Sequence, residues 1–308
     1  MSTIKKARVF RSRQSLAFYI GILALPIVQF LIFYIGVNAN SFLLAFRKID
    51  PLDFKKIEFT LDNFKVWFVD KNENTKLVEA IKVSFKSYAI TVCVSVPLGL
   101  FFSYYIAKKM RGAMFFRLML FLPSIISSIV LVTVYRYFTS YVLPDFLKIF
   151  GITPAHTNFV DYKTTRYGFL MFYNLFVGFG TNVLLYSNKM ATISPEIREA
   201  AELDGVNSLQ EFFYIVLPQV FSTMSIFLVS GIAAIFTNEL NNFSFYNYKL
   251  NTNTTTVGFL MFHRVRQAGA RENLYPPLAA LGLMITFAVI PLTFIVKKLL
   301  KKLGPSED

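Results

Sequence analysis

Few side chains in this sequence stand where covalent chemistry would need them. The 308 residues include two histidines, His156 and His263, far apart in polar segments, and one cysteine, Cys93, inside an apolar stretch. A single cysteine excludes an intrachain disulfide and a Cys-cluster metal site. No glycine-rich phosphate loop of the GxxxxGK(S/T) kind occurs, so the chain itself is not expected to hold ATP. No acid pair, His cluster or nucleophile constellation lies near a membrane face, which argues against an enzyme acting on lipid or polymer. The polar residues that stand out suit other work. Glu199, Glu202 and Asp204 form an acidic island that could dock a basic partner. Arg136 and Glu239 lie near the ends of apolar stretches, where ionisable groups are costly and seldom face lipid. They are expected to pair with each other or to contact a polar solute.

The elements that must position these residues are membrane spans. The chain is 55% hydrophobic and 16% charged, with 35 Phe, whereas a soluble domain carries about 25% charged residues. A membrane helix needs roughly 20 mostly apolar residues. Six candidates occur, at about 16–37, 79–107, 115–139, 166–188, 215–240 and 276–297. The first is longer than a secretory signal core and is followed by more spans, so it reads as a retained anchor. The net charge of +14 is placed beside apolar spans, which points to anionic lipid rather than nucleic acid.

Orientation follows the basic clusters at span ends. Lys5, Lys6, Arg8, Arg11 and Arg13 precede the first span, Lys108, Lys109, Arg111 and Arg117 join the second to the third, and Lys297, Lys298, Lys301 and Lys302 end the last. With six spans all three fall on one side, giving cytoplasmic N- and C-termini. The outer segments are then about 38–78, 140–165 and 241–275. In the first, Leu61, Phe64, Trp67 and Phe68 share a helical face. The stretch "YKLNTNTTT" reads as a polar loop. Lys82 and Lys86 are expected to snorkel to the outer interface.

The acidic island sits in "EAAELDGVNSLQEFFYIVLP", residues 199–218, between the fourth and fifth spans. Ser194-Pro195-Glu196 predicts an N-cap with proline at the first helical position. Gly205 suits a left-handed C-terminal cap. Ser208 and Glu211 stand in capping-box spacing for a second helix that enters the membrane, with Pro218 marking a bend or the start of its buried part. A short helix outside the bilayer, small-sided at Ala200 and Ala201 and rimmed by Glu199, Glu202 and Asp204, looks like a docking plug.

This stretch resembles the EAA loop of inner-membrane permeases in ATP-binding-cassette importers. Glu199, Ala200, Ala201, Gly205, Ile215, Leu217 and Pro218 match its pattern, and Asp204-Gly205 with Phe212 match the carbohydrate-type subgroup. The likeness runs from about 16 to 300, with Thr60 where glycine is usual, Tyr135 and Phe176 at tryptophan positions, and "LNTNTTT" in place of an outer Gly-Gly-Pro. The resemblance implies an all-α polytopic membrane protein of the bacterial inner membrane: six transmembrane helices, N-in and C-in, in the type I importer permease fold with a cytoplasmic coupling helix. A basic N-terminus (1–15) and a tail (301–308) would flank one transmembrane domain (16–300) carrying the coupling loop 189–215. It further implies that Glu199, Ala200, Ala201, Glu202, Asp204, Gly205, Leu217 and Pro218 couple to an ATPase. The partners implied are a second permease subunit, two ATPase subunits that hold ATP and magnesium, and an extracellular solute-binding protein. The function implied is import of a sugar or oligosaccharide, with a glycerol-phosphate-type or other polar solute as the alternative cargo. Absence of a glycine-rich C-terminal tail is more like the first permease of a pair.

Sugar sites combine aromatic faces with amide and charged groups. Tyr135, Arg136, Phe176, Asn182, Glu239, Asn242 and Phe243 are the candidates in spans three to five and the segment after them. The rival of another class is an ion-coupled secondary transporter. It would show an intramembrane ionisable relay or a matched internal repeat, and neither is evident.

Overall fold

The computed structural model describes residues 13–49, 57–154, 156–269 and 272–304. The basic side chains of the first 15 residues and the tail beyond 304 lie outside the described residues. The described chain is mainly helical. Helix α1, Leu16–Leu44, is apolar and exposed through most of its length, and its far end packs on the last helix. A two-stranded antiparallel hairpin follows, β1 Arg47–Ile49 with β2 Ile57–Phe59, Lys48 facing Glu58. Next come α2, Asp62–Val69, and the long α3, Lys71–Ala107.

Helices α4, Ala113–Ile125, and α5, Ser128–Ile149, occupy the place of the third predicted span. They are not one rod: the two axes differ by 105°. Ile126 and Ser127 are extended between them. Pro123 removes a backbone donor just before the break, and Ile125-Ile126-Ser127-Ser128 combines β-branched residues with serines that prefer to start helices. The chain continues with α6, Arg166–Met190; α7, Pro195–Leu203; α8, Ser208–Ala234; the short α9, Asn242–Tyr246; α10, Val257–Ala268; and α11, Tyr275–Leu303. Five of these helices are long and apolar enough to cross a bilayer, and a sixth crossing exists if the bent α4–α5 pair is one span.

Helix α6 is the hub. It packs along α3 and α4 and touches α8, which in turn lies against α11. Buried Gly180 lets α6 approach the backbone of α4 so closely that a methyl there would overlap the Leu120 carbonyl. Small residues at crossings serve helix association in lipid, where burial of apolar surface gives little drive. At one end of the bundle α2 is fixed by Trp67, 3% exposed, whose Nε1 donates to the Pro277 carbonyl at 2.9 Å. Its buried positions are Asn63 and Trp67, one turn apart, while Leu61 and Phe68 are exposed. The expected Leu61–Phe68 face is therefore corrected by a shorter one.

The segment after α8 is irregular yet deeply packed. Thr254 and Asn242 are fully buried, and Asn251, Thr255 and Thr256 nearly so. "LNTNTTT" is thus a loop, as expected, but a buried one. Its buried backbone groups find partners within the segment and on α3, as such groups must. Asn242 Nδ2 donates to Thr254 O at 2.9 Å, Thr256 Oγ1 to Asn238 O at 2.7 Å, and Val257 N to Ser84 Oγ of α3 at 3.0 Å.

Candidate functional site

The loop between α6 and α8 forms a short projecting helix. Pro195 takes the first position of α7 after Ser194, whose backbone is extended but whose side chain makes no cap bond. Arg198 Nη2 reaches back to the Met190 carbonyl at 2.8 Å, tying α7 to the end of α6. Gly205 adopts φ +74 with open space about its Cα, so the left-handed turn alone explains the glycine. The capping box falls one residue earlier than the Ser208–Glu211 spacing predicts. Asn207 Oδ1 accepts from Leu209 N and Gln210 N, and Gln210 Oε1 accepts from Asn207 N at 3.0 Å. Pro218 sits within α8 without breaking it, directly after a π-helical segment, Glu211–Val216, whose wider turn accommodates the missing donor. Leu217 is half-buried there.

Glu199, Ala200, Glu202, Asp204 and Gly205 are exposed on this projection. Ala201 is not: at 6% exposure it faces its own chain, so its small size serves internal packing rather than approach by a partner. The outward apolar residues are Ile197 and Leu203, the latter 89% exposed, and with Ala200 they recur every third residue. Charge and alanine patterns drew attention to the acids and passed over this leucine.

Glu211, freed from capping, turns inward and is 5% exposed. Its Oε2 accepts from Tyr104 Oη and from Lys108 Nζ, both at 2.7 Å. The Glu211 hydrogen bond is the leading cause that holds the Lys108 ammonium above its ordinary pKa, against desolvation. Phe101 stacks on Phe212 at 4.7 Å beside them.

The solute-pathway candidates separate into two groups. Tyr135, Arg136, Glu239, Asn242 and Phe243 lie around the packed 239–256 segment. Tyr135 Oη donates to Phe169 O at 2.9 Å, and Phe243 packs its ring against Tyr248 and Phe262. Asn242 Nδ2 donates to the Glu239 carbonyl at 2.6 Å. Arg136 does not pair with Glu239. Its Nη2 meets Asp161 at 2.7 Å and its Nη1 the Phe245 carbonyl at 2.6 Å, so the expected mutual pair is replaced by one to the segment before α6. Asp161 was invisible because it lies in a polar stretch where an acid needs no explanation. Lys86 likewise does more than snorkel: its Nζ stands 4.3 Å from the Tyr167 ring centroid.

Asn182 lies elsewhere, on the wall of a cavity of about 290 Å³ between α3, α6 and α8. Ser84, Ser87, Thr91, Ser230 and Asn238 line it with hydroxyl and amide groups, and Tyr88, Tyr186 and Phe227 add aromatic surface. Phe176 does not line it and is 55% exposed. The serines of α3 were missed because isolated hydroxyls in a span give no periodic signal.

No family model matches the chain. Among curated proteins it is similar to the multiple sugar-binding transport system permease protein MsmF of Streptococcus mutans, 24% identical over 90% of this chain and 92% of that protein. It is similar also to the arabinooligosaccharides transport system permease protein AraP of Bacillus subtilis, 23% identical over 89% of this chain and 85% of that one. The probable ABC transporter permease protein YesP of Bacillus subtilis is 30% identical over 70% of this chain and 68% of its own length.

The chain belongs to the ABC transporter permeases.

Two crystal structures of a bacterial alginate ABC transporter share the fold of this permease. One, an importer of the acidic polysaccharide, matches with a TM-score of 0.78 at 18% identity over 95% of this chain and 98% of that chain. The other, in complex with an alginate pentasaccharide-bound periplasmic protein, matches with 0.77 at 16% identity over 97% and 99%. The permease is accordingly a multi-pass protein of the inner membrane and a transport subunit.

Proposed function

We propose that this permease is the transmembrane subunit of an ATP-driven importer that passes a sugar or oligosaccharide from an extracellular binding protein to the cytoplasm by alternating access. The projecting α7 carries the reading. It presents Glu199, Ala200, Glu202, Leu203 and Asp204 outside the bundle, and the sugar systems named for MsmF and AraP support the cargo class. In this reading the chain has six spans with both termini cytoplasmic, the bent α4–α5 pair serving as the third. It pairs with a second permease subunit and two ATPase subunits that hold ATP and magnesium. Ligands bias such a machine only through their differential affinity for its inward- and outward-facing states. The hydroxyl- and amide-lined cavity between α3, α6 and α8 suits a polyol, with tyrosine and phenylalanine faces for the apolar side of a sugar ring.

The test is uptake of radiolabelled arabino-oligosaccharides and alginate oligosaccharides into vesicles holding the whole complex, with its binding protein supplied outside. Uptake should need internal MgATP and survive a protonophore. Accumulation driven by a proton gradient without ATP would instead assign an ion-coupled transporter.

A further inference from the structure

The coupling loop must pass movement to helices that surround the solute, and apolar contacts alone hold register poorly because they can slide. One polar junction joins this loop to a span distant in sequence. Glu211 opens the π-helical start of α8, and its buried carboxylate accepts from Tyr104 and Lys108 at the end of α3, both at 2.7 Å. Lys108 Nζ also approaches Ser208 Oγ at 3.3 Å. The carboxylate therefore has two donors from one helix end, and losing either would leave buried charge under-compensated. The Asn207–Gln210 capping box leaves Glu211 free for this contact. Helix α3 then runs on to the cavity, where Ser84, Ser87, Tyr88 and Thr91 form part of the wall. It passes through a second π-helical segment, Thr91–Ser95, a feature that often marks functional bends.

We propose that the Lys108–Glu211 pair, braced by Tyr104, is the strut that conveys displacement of the coupling loop to α3 and so to the cavity wall. These are positioning residues; they touch neither nucleotide nor solute. The inference rests on the proposed docking of α7 to an ATPase, and its test separates the two.

Cys93 is the chain's single cysteine, exposed on α3 at the level of the cavity, between the lining residues Val92 and Val96. In the purified complex its maleimide labelling rate should differ severalfold between the nucleotide-free and the MgATP–vanadate-trapped states. Glu211→Gln and Lys108→Met should abolish that dependence and uncouple ATP hydrolysis from uptake, while ATPase subunits still co-purify. The charge-exchanged pair Lys108→Glu with Glu211→Lys should restore part of both. If Glu211→Gln fails to accumulate, Lys108→Gln, at a side chain 29% exposed, carries the same measurement. Variants that keep the wild-type nucleotide dependence and coupling overturn the strut alone. A wild-type complex that retains its ATPase but whose Cys93 ignores nucleotide also overturns the strut, whereas one whose ATPase does not co-purify overturns the docking reading and the strut with it.

Discussion

Leu203 is the side chain whose position in the fold says most about a partner. A leucine 89% exposed at the tip of a projecting helix buries nothing in its own chain. Full burial of such a side chain contributes about 1.5–3 kcal/mol, roughly ten- to a hundredfold in affinity. Leu203→Glu is therefore expected to leave membrane levels unchanged and to weaken ATPase co-purification by at least about tenfold; undiminished co-purification would remove Leu203 from the docking face. Arg136 illustrates the opposite case. An arginine within a span asks for an anion, but the answer lay in Asp161, 25 positions away in sequence and brought to 2.7 Å by the fold. Its pairing fastens the segment before α6 to α5, which leaves Glu239 to act through its backbone carbonyl on Asn242.

Between elements, the crossing of α4 and α6 is the tightest constraint. Gly180 permits backbone contact with Leu120, and no rotamer change can make room for an added methyl there. Gly180→Ala should cost about 1–3 kcal/mol or more through overpacking, read as a lower melting temperature of the detergent-solubilised protein or as loss of expression. Gly178, one turn-fraction away with open space about it, should accept alanine with little effect. The break between α4 and α5 belongs to this scale as well. Mean apolarity over residues 115–139 marks a span, yet hydropathy is blind to direction. Pro123 and the Ile-Ile-Ser-Ser run turn the chain by 105°. The strained turn after α8 is similar in kind: Leu240 and Asn241 both take positive φ, and the Asn174 amide holds the Leu240 carbonyl at 3.0 Å. Such non-glycine left-handed residues cost about 1–3 kcal/mol each and persist only where neighbours over-determine them.

For the whole molecule, the arrangement places the α3–α4 turn, the α6–α8 loop and the end of α11 toward one end, where Lys108 meets Glu211 and Gly304 lies beside Phe221. Trp67 and Pro277 meet toward the other. In a Cys93→Ser background, Lys109→Cys should react with an impermeant thiol reagent only after cells are opened, whereas Lys65→Cys should react in intact cells. The reverse pattern would invert the proposed orientation. Much of this plan was legible beforehand. Long apolar runs, charge at their ends, Pro195 at the first position of its helix and Gly205 at a left-handed turn are local properties, set by solvation and backbone sterics within a few residues, so the sequence alone determined the helices, the projecting loop and the family likeness. What faces what is not local. Whether Ala201 turns inward, which acid answers Arg136, how closely α6 may approach α4, and that Glu211 leaves its capping role for Lys108 and Tyr104 depend on groups up to 107 residues apart. Only tertiary packing decided them, because burial and pairing energies belong to neighbours that the chain brings together late.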